Sequence, residues 1–234
     1  MEVVTYSTKF SPAQQLIVKK AINAIDNSLE SEFMLLMDYL HSNVLAAPKF
    51  RGKKPPIFPS AEYIEKSAEK FVKGRKDPTL KWSTKRTDPL LPLALKIFLN
   101  LSKDEIDKSI EIHKKLMIIE NKVGEILESY ISEKYSSKGW VWCSGSTVTT
   151  IDFLRKRKNG TFEILQIKNK DVSENSTSTK GRGGVPVWHR LKGQHAKSNW
   201  DKFPDNSAER IMSEKAFIDY AEKKFKEIKK LQGL

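Results

Sequence analysis

The stretch Ile151-Asp152-Phe153-Leu154-Arg155-Lys156-Arg157-Lys158-Asn159-Gly160-Thr161-Phe162-Glu163-Ile164-Leu165-Gln166-Ile167-Lys168 reads as a β-hairpin. Asn159-Gly160 is a strong turn signal, because a two-residue hairpin turn needs positive φ at its centre. The runs on either side are rich in β-branched and aromatic residues. Side chains alternate faces along a strand, so Gln166 and Lys168 share one face and Glu163 lies on the other. Across the hairpin, Asp152 can approach Gln166 and Lys168. An acid, an amide carbonyl and an ammonium group then meet at one end of a sheet. That set suits phosphodiester hydrolysis: a carboxylate holds Mg2+, which neutralises developing charge and acidifies a bound water. A lysine orients or helps deprotonate that water. Taken alone, the triplet also fits an ordinary hairpin with solvent-facing polar residues.

Working outward, the first strand is expected over Val148 to Lys156 and the second over Thr161 to Lys168. Trp140-Val141-Trp142-Cys143 reads as a shorter strand before them. Upstream the pattern is helical. Ser11-Pro12 is a cap followed by proline at the first helical position, opening a helix to about Glu30. A second helix is expected from Glu32 to Leu45, and Ser60 caps a third to Lys73. A short one covers Leu91 to Leu101. Ser102 and Glu105 form a capping box for a long helix from Lys103 to Lys134. Between them, Ala47 to Ser60 is a loop with four prolines and the basic cluster Lys49, Arg51, Lys53 and Lys54, either a solvated loop or a phosphate-contacting arm. A last helix is expected from Ser207 to Leu231, with Ile211, Phe217, Ile218, Ala221, Phe225 and Ile228 on one side. The fold class is therefore α+β, with a small mixed or antiparallel sheet flanked by helices and further helices at the N-terminus. One domain over 1–234 is expected, with a helical part (1–101), a central core (102–206) and a C-terminal helix (207–234).

Composition narrows the partner. The 234 residues carry 42 Lys+Arg against 29 Asp+Glu, a net +13 that points to a polyanion. No apolar run approaches the roughly 18 residues that cross a bilayer, and the N-terminus has no signal-peptide pattern. The single cysteine, Cys143, excludes an internal disulfide and cysteine-rich zinc sites, and the reducing cytoplasm is the expected compartment. His41, His113, His189 and His195 are scattered and complete no zinc spacing.

Gly139-Trp140-Val141-Trp142-Cys143-Ser144-Gly145, Ile151-Asp152-Phe153, Leu165-Gln166-Ile167-Lys168-Asn169-Lys170-Asp171 and Ser173-Glu174-Asn175-Ser176 together resemble type II restriction endonucleases of the SinI kind, within the PD-(D/E)xK nuclease superfamily. The resemblance spans about Glu120 to Trp200. It implies a nuclease core in which Asp152, Gln166 and Lys168 form the catalytic set. It also implies a GGWCC-type palindrome and a cut leaving a 5′ overhang. Two positions depart from the superfamily pattern: no proline precedes Asp152, and Gln166 stands where an acid is usual.

A neutral amide is a weaker metal ligand, so a carboxylate on the preceding helix is expected to compensate. Ile119, Val123, Ile126, Leu127, Tyr130 and Ile131 mark that helix's apolar stripe. Helical periodicity sets Glu120 inside the stripe beside Gly124 and Glu128 at its margin, with Glu125 pointing away. Gly124 is expected to admit close approach to the sheet. Glu120 and Glu128 are the candidates, and Asp152, Gln166 and Glu120 the expected metal ligands. A helix glutamate bonded to a core arginine or to backbone is the alternative.

Downstream, Asn175, Ser176, Lys180, Arg182, His189, Arg190 and Lys192 are candidate DNA contacts, arginine being the usual partner of guanine and lysine of phosphate; the segment also reads as a flexible polar linker. A palindrome implies a homodimer, with the final or the first helix as interface. A cognate DNA methyltransferase is the expected genetic partner. The alternatives are another PD-(D/E)xK nuclease, acting on junctions or damaged DNA, and a non-catalytic DNA-binding protein that has lost its active site.

Overall fold

A computed structural model describes residues 10–82, 87–171, 184–205 and 212–233. The helices are α1 (Pro12–Asn23), α2 (Glu30–Ser42), α3 (Ala61–Lys76), α4 (Leu90–Leu99) and α5 (Lys103–Tyr135). The strands β1 (Val141–Trp142), β2 (Phe153–Lys156), β3 (Phe162–Lys170), β4 (Val187–Lys192) and β5 (Lys197–Ser198) follow, then α6 (Glu214–Gln232). The strands form one mixed sheet in the order β1-β2-β3-β4-β5. Only the β3–β4 pair is parallel. The α+β class expected from the sequence is the one observed.

Strand alternation builds two cores on this sheet. Val141, Leu154, Phe162 and Ile164 face α1, α2 and α3, meeting Leu36, Leu40, Ile64 and Phe71. Trp142, Phe153, Leu165, Ile167 and Trp188 face α5 and α6, meeting Leu127, Tyr130, Ile131 and Phe217. Each strand residue is thus assigned to one layer by its parity alone.

Local signals account for most boundaries. Ser11 and Gln14 close the capping box of α1, and Ser102 and Glu105 that of α5. Ser60 caps α3. The hairpin turn has Gly160 at φ +85°, with the Asn159 side chain accepting from the Thr161 N–H (3.1 Å).

The structure departs from expectation at several places. The first helix stops at Asn23, because the Asp26 carboxylate accepts the Ser28 N–H and binds Lys76 (2.7 Å), starting a separate turn before α2. The strand expected from Val148 begins only at Phe153: a turn at Ser144–Ser146 and a positive φ of 62° at Thr150 carry the chain off the ladder. Val187–Lys192 is a buried strand, although its polar letters read as a DNA-contacting segment. The last helix starts at Glu214 after the Ser213 cap, not at Ser207; its Ile218 and Phe225 are exposed, and only Phe217, Ala221 and Ile228 are buried. Ser207 and Ile211 lie outside the described residues.

α3 and the turn after β1 meet backbone to backbone. A Cβ on Gly74 would collide with the Gly145 backbone, and one on Gly145 (φ +69°) with the Lys70 carbonyl. Gly124 was the expected close contact, but a Cβ there meets nothing. Beside the glycine pair, Arg75 donates to Ser144 Oγ, to the Trp142 carbonyl (2.8 Å) and to Glu32 (2.6 Å).

Gly145→Ala should therefore lower stability by about 2–5 kcal/mol, from overpacking plus the left-handed backbone, and Gly74→Ala by about 1–3 kcal/mol from overpacking alone. Gly124→Ala should instead raise it by roughly 0.5–1 kcal/mol through helix propensity. Urea melts of the three variants test this, and equal behaviour of all three would refute the assignment.

Candidate active site

Asp152 is held three ways at the end of the β2–β3 ladder. Its carbonyl accepts from the Cys143 N–H (2.8 Å), and its N–H donates to the Leu165 carbonyl (3.0 Å). Its side-chain Oδ2 accepts from the Ile167 N–H (2.7 Å). The carboxylate thus occupies the place of a ladder carbonyl, which ends the strand pairing and keeps the acid at the end of an interior strand. Gln166 lies on β3 opposite, its N–H donating to the Pro186 carbonyl (2.9 Å). Lys168, two residues on, shares Gln166's face and pairs in register with His189 on β4.

Asp152 and Gln166 line a cleft of about 860 Å³ between α3, α5 and the Cys143–Ile151 segment. Lys122, Glu125 and Glu128 of α5 line it as well, and so do Lys70 and Lys73 of α3. Trp142 Nε1 donates to Glu128 Oε2 (2.7 Å), fixing that carboxylate against the sheet. Lys122, buried, is paired with Glu125.

Enclosure raises the Glu128 carboxyl well above the usual carboxylate range, and the neighbouring negative charges of Asp152 and Glu125 add to this against the Trp142 hydrogen bond. Enclosure also raises Asp152, outweighing the Ile167 N–H and the positive charge of Lys168. Two acids are thus held together at a cost that a cation would relieve.

Oxygen donors from Asp152, Glu128 and Gln166 match the preference of a hard divalent cation, especially one that keeps several waters. Among the described residues no three His, Cys, Asp or Glu side chains form a ready cage. The fit is to an open site completed by water and substrate oxygens.

The five expected catalytic residues divide. Asp152, Gln166 and Glu128 converge on the cleft, and Lys168 acts on Asp152 through its charge. Glu120 does not join them. It is exposed and outside the cleft, because Ile119 beside it is 39% exposed and belongs to a different stripe from the buried Ile126, Leu127 and Tyr130. Of the two helix glutamates expected from the sequence, Glu128 lines the cleft and Glu120 does not. Glu125, set aside in the sequence as solvent-facing, is half in solvent and half on the cleft.

The candidate DNA contacts divide too. Asn175, Ser176, Lys180 and Arg182 lie outside the described residues. His189 is buried on the Lys168 face, its pKa lowered by burial. Arg190 has the opposite parity, so it points to α6, where it donates to Glu214 and covers the Phe217 ring at 4.8 Å; it also donates to Asn169 of β3 (2.8 Å). These partners tie Arg190 into the fold between β4 and α6. Lys192 is exposed at the strand end.

Lys70, Lys73, Gly74 and Arg75 were missed, since nothing in an amphipathic helix marks which turn faces a cleft. The Gly145 letter was the one available signal.

Residues 13–227 match the family model described as SinI restriction endonuclease. The chain is 33% identical over 214 residues to the type II restriction enzyme Eco47I of Escherichia coli, covering 90% of this chain and 93% of that protein. It is 32% identical over 219 residues to the type II restriction enzyme SinI of Salmonella infantis, covering 91% and 94%.

The raised acids set a pH dependence. A carboxyl raised on folding contributes its stability below the unfolded value and loses it as pH rises through the folded value. The metal-free protein should thus lose stability between about pH 4.5 and the raised Glu128 value, and a divalent cation should restore it increasingly at high pH. Thermal melts at pH 5 and 8.5, with and without Ca2+, check this. Glu128→Gln should flatten the pH slope and shrink the metal-induced rise in Tm. An unchanged slope would remove Glu128 from the site.

Proposed function

The chain belongs to the SinI restriction endonuclease family, and from that premise we propose that it cuts double-stranded DNA at a specific sequence, with Mg2+ held by Asp152, Glu128 and Gln166. The observation that carries this reading is the pair of enclosed carboxylates, Asp152 and Glu128, on a cleft walled by lysines in a chain of net charge +13. Such a pair without a cation is costly, and a phosphodiester brought to a basic cleft supplies the remaining oxygen ligands.

Bound Mg2+ supplies a Lewis acid at the scissile phosphate and an acidified water. The protein's own groups do the rest. The Ile167 N–H and the two backbone bonds of Asp152 hold one oxygen ligand in place. The Trp142 indole orients the other. Lys168, whose charge already reaches Asp152, would orient the attacking water and offset the negative charge that develops on the phosphate. Lys70 and Lys73 steer the phosphate backbone into the cleft.

β1–β2–β3 with parallel β4 serves as the PD-(D/E)xK core in this reading, in which Glu128 replaces the acid missing at Gln166. The chain acts as one domain over 1–234. Asn175, Ser176, Lys180, Arg182 and Lys192 remain the proposed DNA-reading positions, with His189 supporting Lys168. A GGWCC-type palindrome, a homodimer, a partner methyltransferase and action in the cytoplasm complete the proposal. Among the described residues no helix is long and apolar enough to cross a membrane.

Purified protein with Mg2+ should cut plasmid DNA into discrete bands. Asp152→Asn should bind DNA in Ca2+ yet cut at least about 10³-fold more slowly, and Lys168→Ala roughly 10²–10⁴-fold more slowly. Binding without cleavage in both Mg2+ and Mn2+ would refute the nuclease reading. Smears instead of bands would refute sequence specificity.

A further inference from the structure

The proline-rich stretch between α2 and α3 carries Lys49, Arg51, Lys53 and Lys54, and no acid occurs between Asp38 and Glu62. All four side chains are exposed, and among the described residues none is in an ion pair. Several exposed lysines elsewhere do have a carboxylate beside them: Lys66 meets Glu62 (2.7 Å), Lys76 meets Asp26 (2.7 Å) and Lys115 meets Glu111 (2.6 Å). Four like charges so close in sequence repel one another, and a polyanion removes that cost.

Aromatic anchors hold both ends of the basic run. Phe50 packs edge-on against Tyr63 with 5.0 Å between ring centroids, and Phe58 does the same at 5.3 Å. The Tyr63 hydroxyl donates to the Pro48 carbonyl (3.0 Å). Pro48, Pro55 and Pro56 fix their own φ, so less backbone freedom is lost when a partner binds. A Cβ on Gly52 would meet nothing, so the middle of the run stands clear of the rest of the protein.

The same contacts set the run at the rim of the cleft. Pro48 and Lys70 both line it. The Lys70 ammonium lies over the Phe50 ring, 4.2 Å from its centroid. The Thr149 N–H donates to the Ala46 carbonyl (2.9 Å). Thr149 is three residues before Asp152, and three residues span at most about 11 Å. The root of the run is therefore fixed within a few phosphates of the acid, at roughly 3.4 Å of helix axis per phosphate on one strand.

We infer that residues 48–54 form an arm that holds DNA phosphates beside the scissile bond without regard to base sequence. Lysine and arginine suit phosphate oxygens, and the anchored loop presents them already ordered. That the polyanion is DNA rests on the nuclease reading.

The full-length chain is titrated in Ca2+ with two duplexes of roughly 30 base pairs, one containing GGACC and one lacking it, over roughly 50–200 mM salt. Replacing the four cations together (Lys49→Ser, Arg51→Ser, Lys53→Ser and Lys54→Ser) should raise Kd for both duplexes by a similar factor, at least about tenfold at low salt, and reduce the salt slope by about 3–4. A matched control removes four exposed lysines of α6 (Lys215→Gln, Lys223→Gln, Lys229→Gln and Lys230→Gln). It should change the slope by less than about 1. An arm variant with wild-type affinity and slope overturns the inference. So does an equal loss in the control, which makes net charge the cause. Weakening confined to the GGACC duplex also overturns it, because the run would then be reading bases. Wild type that binds neither duplex overturns it as well. Should the fourfold arm variant fail to fold by circular dichroism, Lys53→Ser alone should lower the slope by about 1, and an unchanged slope decides against the arm. Absence of cleavage by wild type in Mg2+ and Mn2+ counts against the nuclease reading and leaves the binding result standing.

Discussion

Everything at the cleft depends on the three hydrogen bonds that hold Asp152. Two are backbone bonds that belong to the sheet, and the third replaces a ladder acceptor with a carboxylate oxygen. The acid is therefore as rigid as the sheet itself, and the ladder ends where the acid begins. Because it sits at the end of its strand and not within the ladder, it faces the cleft beside Glu128. The Ile167 N–H that fixes the acid works against the rise in its pKa, so the raised carboxyls come from burial in the cleft and not from the bonds that place them.

The segment between β1 and Asp152 needs its own support, and α3 provides it. Gly74 and Gly145 allow backbone to meet backbone, and Arg75 then bonds Ser144, Trp142 and Glu32 at once. An N-terminal helical layer that looks like a scaffold is thus a wall of the site. Arg190 does the corresponding task on the far face, tying β4 to α6 through Glu214. Arginine suits both places because its planar guanidinium can satisfy several acceptors while lying over a ring, Phe71 in one case and Phe217 in the other.

α5 works as two helices in one. Its C-terminal half buries Ile126, Leu127, Tyr130 and Ile131 against the sheet and presents Glu128 and Glu125 to the cleft. Its N-terminal half carries the exposed stripe of Ile112, Leu116 and Ile119. A single apolar stripe drawn from Ile119 to Ile131 merges the two and misplaces Glu120. The helix is continuous in backbone, yet its apolar face serves different neighbours along its length.

By itself, the sequence determined the α+β class, the caps at Ser11, Ser60 and Ser102, the Asn159-Gly160 hairpin and the juxtaposition of Asp152 with Gln166 and Lys168. These depend on periods of two or 3.6 residues and on turn chemistry, which are local. Tertiary structure decided the rest. Which glutamate faces the acid depends on the rotation of α5 against a sheet distant in sequence. Whether Arg190 reads DNA or pins a helix depends on the parity of a parallel strand that its polar letters did not reveal. Whether Gly124 or Gly145 marks the close approach depends on which backbone lies opposite. Each is a long-range packing choice, made by burial on both faces of one sheet, and no local pattern encodes the identity of the partner across the gap.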